Sequence, residues 1–377
     1  MKSTLISVYT IEDLIEEVDE KIKEGFKPSL AFVYASVYYD IRKLVAELNK
    51  YPFHIFGSTT VGEVFADEMH GVNEVDESIV CMLVEVAPEA IALKMLPVEG
   101  DEYYKVGGQV GKWAKSQFED VSVITMTSGL MFDNDAYTQG ILSTGITYAF
   151  GGAAGDDLIL KDTLVFSGKN YSDHGTVVLA LDNKKIEVVG SRAFGWIGIG
   201  KEKIVTKAHK NIVDEIDNRP AVEFYKSYLQ VETIDMPQTG IEYPLEVTMR
   251  NGQVVYRAVL DIDEENGALV FAGHVEEKSK VRISAPQGRE IMKYVDESIT
   301  KSIDEHEGFE PEIALVFPCC SRKQVLGAIT SQEIEIAYKA SKCPLVGCFV
   351  YGEIGAFPGG YGFHNETFVT ALLKEKE

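Results

Sequence analysis

Basic residues are scarce in this chain. Lys and Arg number 36 against 59 Asp and Glu in 377 residues, a net charge of −23. Nucleic acid and anionic membrane surfaces attract clustered Lys and Arg, so neither is expected as a partner. No run of about 18 apolar residues occurs, which argues against membrane insertion. The opening MKSTLISVYT leads into an acidic helical stretch and lacks the basic start and apolar core of a signal peptide. Cysteine is sparse as well. The five residues Cys81, Cys319, Cys320, Cys343 and Cys348 form an odd set with no C-x-x-C, so neither a disulfide framework nor a zinc ribbon is signalled. A cytoplasmic location is the default. Familiar catalytic and cofactor signatures are missing too. There is no H-E-x-x-H or G-x-S-x-G. Gly195-x-x-Gly198-x-Gly200 has the wrong spacing for a dinucleotide loop, and Gly107-Gly108-Gln109-Val110-Gly111-Lys112 is not a P-loop. No cofactor and no metal are called for.

What is present is a repeated octet. Phe56-Gly57-Ser58-Thr59-Thr60-Val61-Gly62-Glu63 returns as Val346-Gly347-Cys348-Phe349-Val350-Tyr351-Gly352-Glu353. The first copy is framed by the apolar run Leu30–Tyr34, a helix carrying Ile41, Leu44, Val45 and Leu48, a polar hairpin over 67–78, and a strand over 79–86. The second is framed by Pro311–Phe317, which matches Pro28–Tyr34, by a helix with Val325, Leu326, Ile329 and Ile336, and by a strand over 368–373. A weaker middle copy runs from the strand 121–126 through a helix near Ile141 to Gly151-Gly152-Ala153-Ala154-Gly155-Asp156-Asp157, then the strand 177–181. One strand–helix–strand–loop–hairpin unit is thus used three times. Between the second and third copies lies different material: paired strands at 205–208 and 212–216, a helix from Pro220 to about Leu229, and strands at 245–249, 254–261 and 268–272. Asn251-Gly252 and Asn266-Gly267 mark hairpin turns there. The expected fold is α/β, or mixed α+β, with helix-covered mixed sheets in two domains, 1–210 and 211–377. The Gly-rich loops 57–63, 151–157 and 347–353 are expected to converge on one cleft.

Each motif has a functional and a structural reading. The loop glycines allow close backbone approach, so free N–H groups could receive an anion while Glu63 or Glu353 accepts from an ammonium or hydroxyl. They could equally form a tight turn, with Glu as its cap. Asp156 and Asp157 could bind an organic ligand or close a turn; the ligand spacing of a calcium loop is missing. Cys319, after a buried strand, is a candidate nucleophile only if its pKa is lowered and a base is at hand. No His stands at a recognisable spacing. Arg322 suits bidentate recognition of a carboxylate, so Arg322 and Glu353, with Tyr351 nearby, could clamp a zwitterion or pair with each other.

Gly57-Ser58-x3-Gly62-Glu63, Gly151–Asp157, Asp217-x-Arg219-Pro220-Ala221, Cys319-x-x-Arg322 with Leu326-Gly327, and Gly347-x4-Gly352-Glu353-Ile354 occur together in one order. In this the chain resembles the FIST family, which pairs N-terminal and C-terminal FIST domains. The resemblance implies a sensory, small-molecule-binding module of signal transduction, with amino acids as a ligand class. Family members are often fused to an output domain, and 377 residues leave no length for one, so a separate output protein is expected. A homo-oligomer is left open. The ligand-binding candidates are Gly57, Ser58, Thr59, Glu63, Gly152, Asp156, Asp157, Cys319, Arg322, Tyr351 and Glu353. Two other readings stay open: a small-molecule hydrolase or transferase using Cys319 or an acid pair, and a structural interaction module.

Overall fold

Continuous apolar runs become strands buried on both faces. Leu30–Ala35, Val121–Thr127 and Ile313–Pro318 are buried along their whole length. Each is the centre of one repeat unit in the computed structural model of the protein, which describes residues 1–230, 238–358 and 361–376. Unit 1 comprises β1 (Lys2–Val8), α1 (Ile11–Lys23), β2 (Leu30–Ala35), α2 (Ile41–Leu48), β3 (His54–Thr59), the hairpin β4 (Glu63–Asp67) and β5 (Gly71–Val75), and β6 (Ile79–Glu85). Thr10 caps α1, its side chain accepting from the Asp13 N–H at 3.0 Å. Unit 2 repeats the order with β7 (Ile91–Pro97), α3 (Tyr103–Gln117), β8 (Val121–Thr127), α4 (Asn134–Leu142), β9 (Ala149–Ala153), the hairpin β10 (Val165–Ser167) and β11 (Asn170–Ser172), and β12 (Gly175–Asp182).

Unit 3 opens with β13 (Ile186–Ala193), and a separate sheet is inserted before it resumes. The insert contains β14 (Trp196–His209), β15 (Ile212–Ile216), β16 (Arg219–Pro220), α5 (Ala221–Leu229), α6 (Gln238–Glu242), β17 (Leu245–Thr248), β18 (Val254–Arg257), β19 (Val259–Asp263), β20 (Ala268–Phe271) and β21 (Lys280–Pro286). Unit 3 then continues with α7 (Glu290–Asp304), β22 (Ile313–Pro318), α8 (Cys320–Leu326), α9 (Thr330–Ser341), β23 (Leu345–Cys348), the hairpin β24 (Glu353–Ala356) and β25 (Phe363–His364), and β26 (Phe368–Glu375). Two expected elements are divided. The strand expected over 254–261 breaks at Ala258 into β18 and β19. The helix expected through Val325 and Ile336 breaks at Gly327, where the backbone turns to φ +53°.

The registers match between units. Val33 pairs with Gly57, Thr125 with Gly151 and Val316 with Gly347. The hairpins are exchanged in a circle. That of unit 1 joins β23 of unit 3, that of unit 2 joins β3 of unit 1, and that of unit 3 joins β9 of unit 2. The inner core draws on matched positions of all three units, namely Tyr34, Met126 and Phe317, and Phe56, Phe150 and Val346. Helices cover the outer faces around three further clusters.

The insert packs around its own core of Val205, Tyr225, Leu245 and Phe271 and is latched to unit 2. Arg257 of β18 reaches Asp135 of α4 at 3.0 Å, both fully buried. His274 donates its backbone N–H to Asp135 and meets Asp133 through its ring at 3.0 Å. Burial pulls the His274 pKa down, but Asp133 and Asp135 outweigh it and hold it above 6.5. Burial pushes Asp133 up, yet His274 holds it below 3.8. The share of stability from His274 is therefore full below pH 6.5 and lost as pH rises through its higher folded value. The share from Asp133 is full above pH 3.8 and lost as pH falls. The natural chain is expected to lose more melting temperature between pH 6 and pH 8.5 than a His274→Gln variant. Parallel melting profiles across that range would remove this latch.

Candidate functional site

The three Gly-rich segments meet where the units exchange hairpins. A ring of matched hydrogen bonds joins them: Val61 N–H to Phe349 O at 3.1 Å, Gly155 N–H to Thr59 O at 3.1 Å, and Tyr351 N–H to Ala153 O at 3.0 Å. Half of each segment is strand rather than loop. Gly57, Ser58 and Thr59 lie in β3, and Gly152 lies in β9 opposite Glu353. Their backbone donors face protein acceptors. Thr59 N–H goes to Leu164 O, Phe349 N–H to Gly62 O, and Asp157 N–H to Thr60 O. The anion-binding nest expected from free N–H groups is thus engaged by neighbouring chain at these positions.

The register makes Glu63, Asp157 and Glu353 counterparts, and likewise Ser36, Ser128 and Cys319. The last three donate their backbone N–H groups to Ser78, Gly175 and Thr367 in turn. Glu63 is closed off. It accepts from Thr60 and from the Ser78 hydroxyl at 2.6 Å, and burial pushes its pKa up to about 8. Asp157 accepts from the Ser36 hydroxyl at 2.7 Å and from Val37 N–H at 3.0 Å. Asp156 is used fully, by the N–H groups of Leu160, Lys161 and Asp162 and by the Tyr351 hydroxyl at 2.5 Å. Tyr351 is committed by the same bond.

The third counterpart differs. Glu353 accepts from Thr367 N–H at 3.0 Å and from the Thr367 hydroxyl at 2.6 Å, both through Oε2. Its Oε1 is buried without a partner. Asn365 Oδ1, Gln324 Oε1 and His364 Nδ1 are likewise without a close partner, and the Glu366 carboxyl has only the Ser321 hydroxyl and the Arg322 guanidinium beside it. Buried polar groups are nearly always hydrogen-bonded, so this concentration of exceptions marks a place where water or a polar ligand would find partners. These residues are neighbours. Glu353 and His364 pair across the β24–β25 hairpin. Cys319 lies against both Glu353 and Glu366. Ser321 and Gln324 are three apart on α8, so they share a face. Gln324 and Val325 also line an open cleft of about 230 Å³ with Gln238, Glu242, Tyr243 and Pro286 of the insert. The cleft ends at Gln324 on α8, and the polar cluster of Glu353, Asn365 and Glu366 lies buried behind that helix.

Its electrostatics are set by burial. Burial pushes Glu366 up to about 8 and Glu353 well above 4.5. It also pushes the Cys319 thiol well above 9, the opposite of what a nucleophile needs. Arg322 does not reach Glu353. Its guanidinium binds Glu333 at 2.5 and 3.2 Å and donates to Glu366 O and Ile291 O, with both partner side chains fully buried. The structure thus brings Glu353 and Cys319 together in one buried polar cluster, with Arg322 beside Glu366. Glu63, Asp156, Asp157 and Tyr351 lie in closed networks beside it.

Glu366, Asn365, Ser321 and Gln324 are not among the residues picked out by sequence. One signal for Glu366 was available. It precedes Thr367, the counterpart of Ser78, so its own counterpart is Glu77. Both take a positive φ, +64° and +51°. Glu77 is exposed and Glu366 is buried close to Tyr225 of the insert. Among the described residues no group of three His, Cys, Asp or Glu is placed to hold a metal ion, and no helix is long and apolar enough to cross a membrane.

Family models for the FIST N domain and the FIST C domain match residues 29–219 and 221–356. Comparison with the curated proteins gives no match. Among solved structures, a cyanuic acid hydrolase from A. caulinodans aligns over 100% of this chain and 99% of its own, at 11% identity and a TM-score of 0.34. A TM-score that low carries no argument for fold or activity.

Proposed function

This chain belongs to the FIST family, whose domains are associated with sensory signal transduction, and on that premise we propose that it senses a small polar metabolite bound at the cleft between α8 and the insert, next to the buried polar cluster of Glu353, Asn365 and Glu366. The observation that carries this is the set of buried oxygens without a close partner on Glu353, Asn365 and Gln324, beside the Glu366 carboxyl. Each such group costs about 1–3 kcal/mol while unpaired, and a polar ligand that pairs with them recovers that cost on binding. A cleft with a few convergent polar groups at a domain junction is also the usual form of a small-molecule site. The cleft is lined on one side by the insert, so a ligand bound there would bear on how the insert sits, and the signal would pass from there to a separate output protein. In a melting-temperature screen against amino acids and other polar metabolites, at least one compound is expected to stabilise the chain. A ligand at 100 times its Kd adds about 2.7 kcal/mol. No shift with any member of the panel would overturn this reading.

A further inference from the structure

We infer that the end of the molecule where units 1 and 2 meet is a docking surface for a partner protein, whose segment carries basic side chains beside an apolar face. The inference stands apart from the metabolite cleft, which lies between α8 and the insert. It starts from large apolar side chains left in solvent. Met131 is 90% exposed, Tyr38 64%, Tyr9 63%, Leu160 55% and Leu158 44%. Singly such exposures are ordinary, but a group of them marks an interaction site. Contacts tie together the segments that carry them. The Tyr39 hydroxyl lies between Tyr9 O and Glu77 O, at 3.0 and 2.7 Å. Asp157 accepts from the Ser36 hydroxyl and from Val37 N–H, so residues 36–38 lie against 157–158. Leu130 N–H donates to Thr163 Oγ1 at 3.1 Å, and a Cβ on Gly129 would overlap the Ala154 carbonyl oxygen, so the Met131 loop lies along the 154–163 segment.

The backbone holds these side chains out against its own preference. Leu158, Leu160 and Met131 take left-handed backbone, at φ +62°, +58° and +57°. A residue with a Cβ enters that region at a cost, and Gly or Asn enters it more readily. Asp156 fixes the loop, its carboxylate accepting the N–H groups of Leu160, Lys161 and Asp162. A segment that needed only to turn would be better served by Asn or Gly, yet this one presents leucine twice.

Acid surrounds the exposed side chains. Tyr9 lines an open cleft of about 320 Å³ with Asp13, Glu16 and Glu17. After burial, the nearby Asp76 and Glu77 charges also raise the Asp157 pKa. Asp162 adds another carboxylate within the loop. Lys161 sets one positive charge against them, while Lys43 is engaged by Glu12, and Lys323 by Asp76 and Glu74. This charge selects the occupant. A second copy would bring the same acid against it, and an anionic membrane would be repelled as well. A partner segment with Lys or Arg beside apolar side chains complements both features.

The probe is a fluorescein-labelled helical peptide of Leu and Lys, with Leu along one face. Its controls keep the pattern but put Glu for Lys, or Ser for Leu. In fluorescence anisotropy with the full chain, the Leu–Lys peptide is expected to bind at least tenfold more tightly than either control, and more weakly as salt rises. Leu158→Asn combined with Leu160→Asn is expected to weaken that binding at least tenfold. Asn suits left-handed backbone, so the melting temperature of this variant is expected to hold or rise, which separates lost binding from lost fold. Leu260→Asn, at an equally exposed leucine of the insert, is expected to leave binding unchanged. Equal binding by the Leu158/Leu160 variant and the natural chain would overturn the inference, because attraction to the net negative charge would then suffice. No binding of the Leu–Lys peptide would overturn it too. So would a dimer seen by sedimentation, or adsorption to vesicles of anionic lipid, that the same two substitutions abolish, since each puts a different occupant on this surface.

Discussion

Arg322→Ala is expected to lower the free energy of unfolding by about 3–5 kcal/mol, the usual cost of removing one partner of a buried ion pair. Glu333 would remain fully buried without its partner, and the carbonyls of Glu366 and Ile291 would lose their donor. The guanidinium also lies 5.7 Å over the Trp196 ring, which belongs to the insert, so its loss loosens the seam between insert and unit 3. A double variant, Arg322→Met with Glu333→Leu, is expected to recover most of that stability because no unpaired charge remains. Urea unfolding of the two single variants and the double variant measures the coupling. A clamp on a ligand carboxylate would behave differently: Arg322→Ala would then cost binding but little stability. A loss below about 1 kcal/mol, the level of an exposed pair, would show that Arg322 is not the strut described here.

Gly151→Ala is expected to be at least as damaging, for reasons of backbone alone. Gly151 sits at φ +140°, and a Cβ there would overlap the Thr125 carbonyl oxygen. The first effect costs about 1–3 kcal/mol, and the overpacking a further 1–3 kcal/mol or so. Neither can relax cheaply, since β8 and β9 are buried on both faces. Gly25→Ala is the control. Gly25 also has a positive φ, +100°, but nothing lies within 4 Å of the added methyl. It is expected to show the backbone cost without the clash. Equal denaturation midpoints for the two variants would contradict the close approach of β8 and β9.

Much of the repeat was legible because its signals are local. Leu30–Tyr34 and Pro311–Phe317 are apolar runs of strand length, and the paired glycines and Glu recur at fixed spacing. The match between them coincides with the observed register. Less legible was β13. Its sequence, IEVVGSRA, carries Gly, Arg and Glu, and it becomes a strand because β26 lies beside it, a partner some 180 residues away. The site was half legible for a similar reason. Glu353 and Cys319 are marked by their motifs. Glu366 resembles an exposed turn residue such as Glu77 until the insert covers it, and no local pattern records that burial. Arg322 takes Glu333, one turn into α9, as its carboxylate partner, and no motif marks Glu333 in the sequence.

The circular exchange of hairpins has a consequence during synthesis. The hairpin β4–β5 is complete once residue 75 has been made, yet its partner β23 begins at Leu345. At about 5–20 residues per second, roughly 15–50 s separate the two. Through that interval Val64 and Ala66, fully buried at the end, have no unit 3 to cover them. The emerging chain thus carries an open strand edge that only its own last quarter can close, so a translation pause or truncation before Leu345 would leave a sticky intermediate rather than a smaller folded protein.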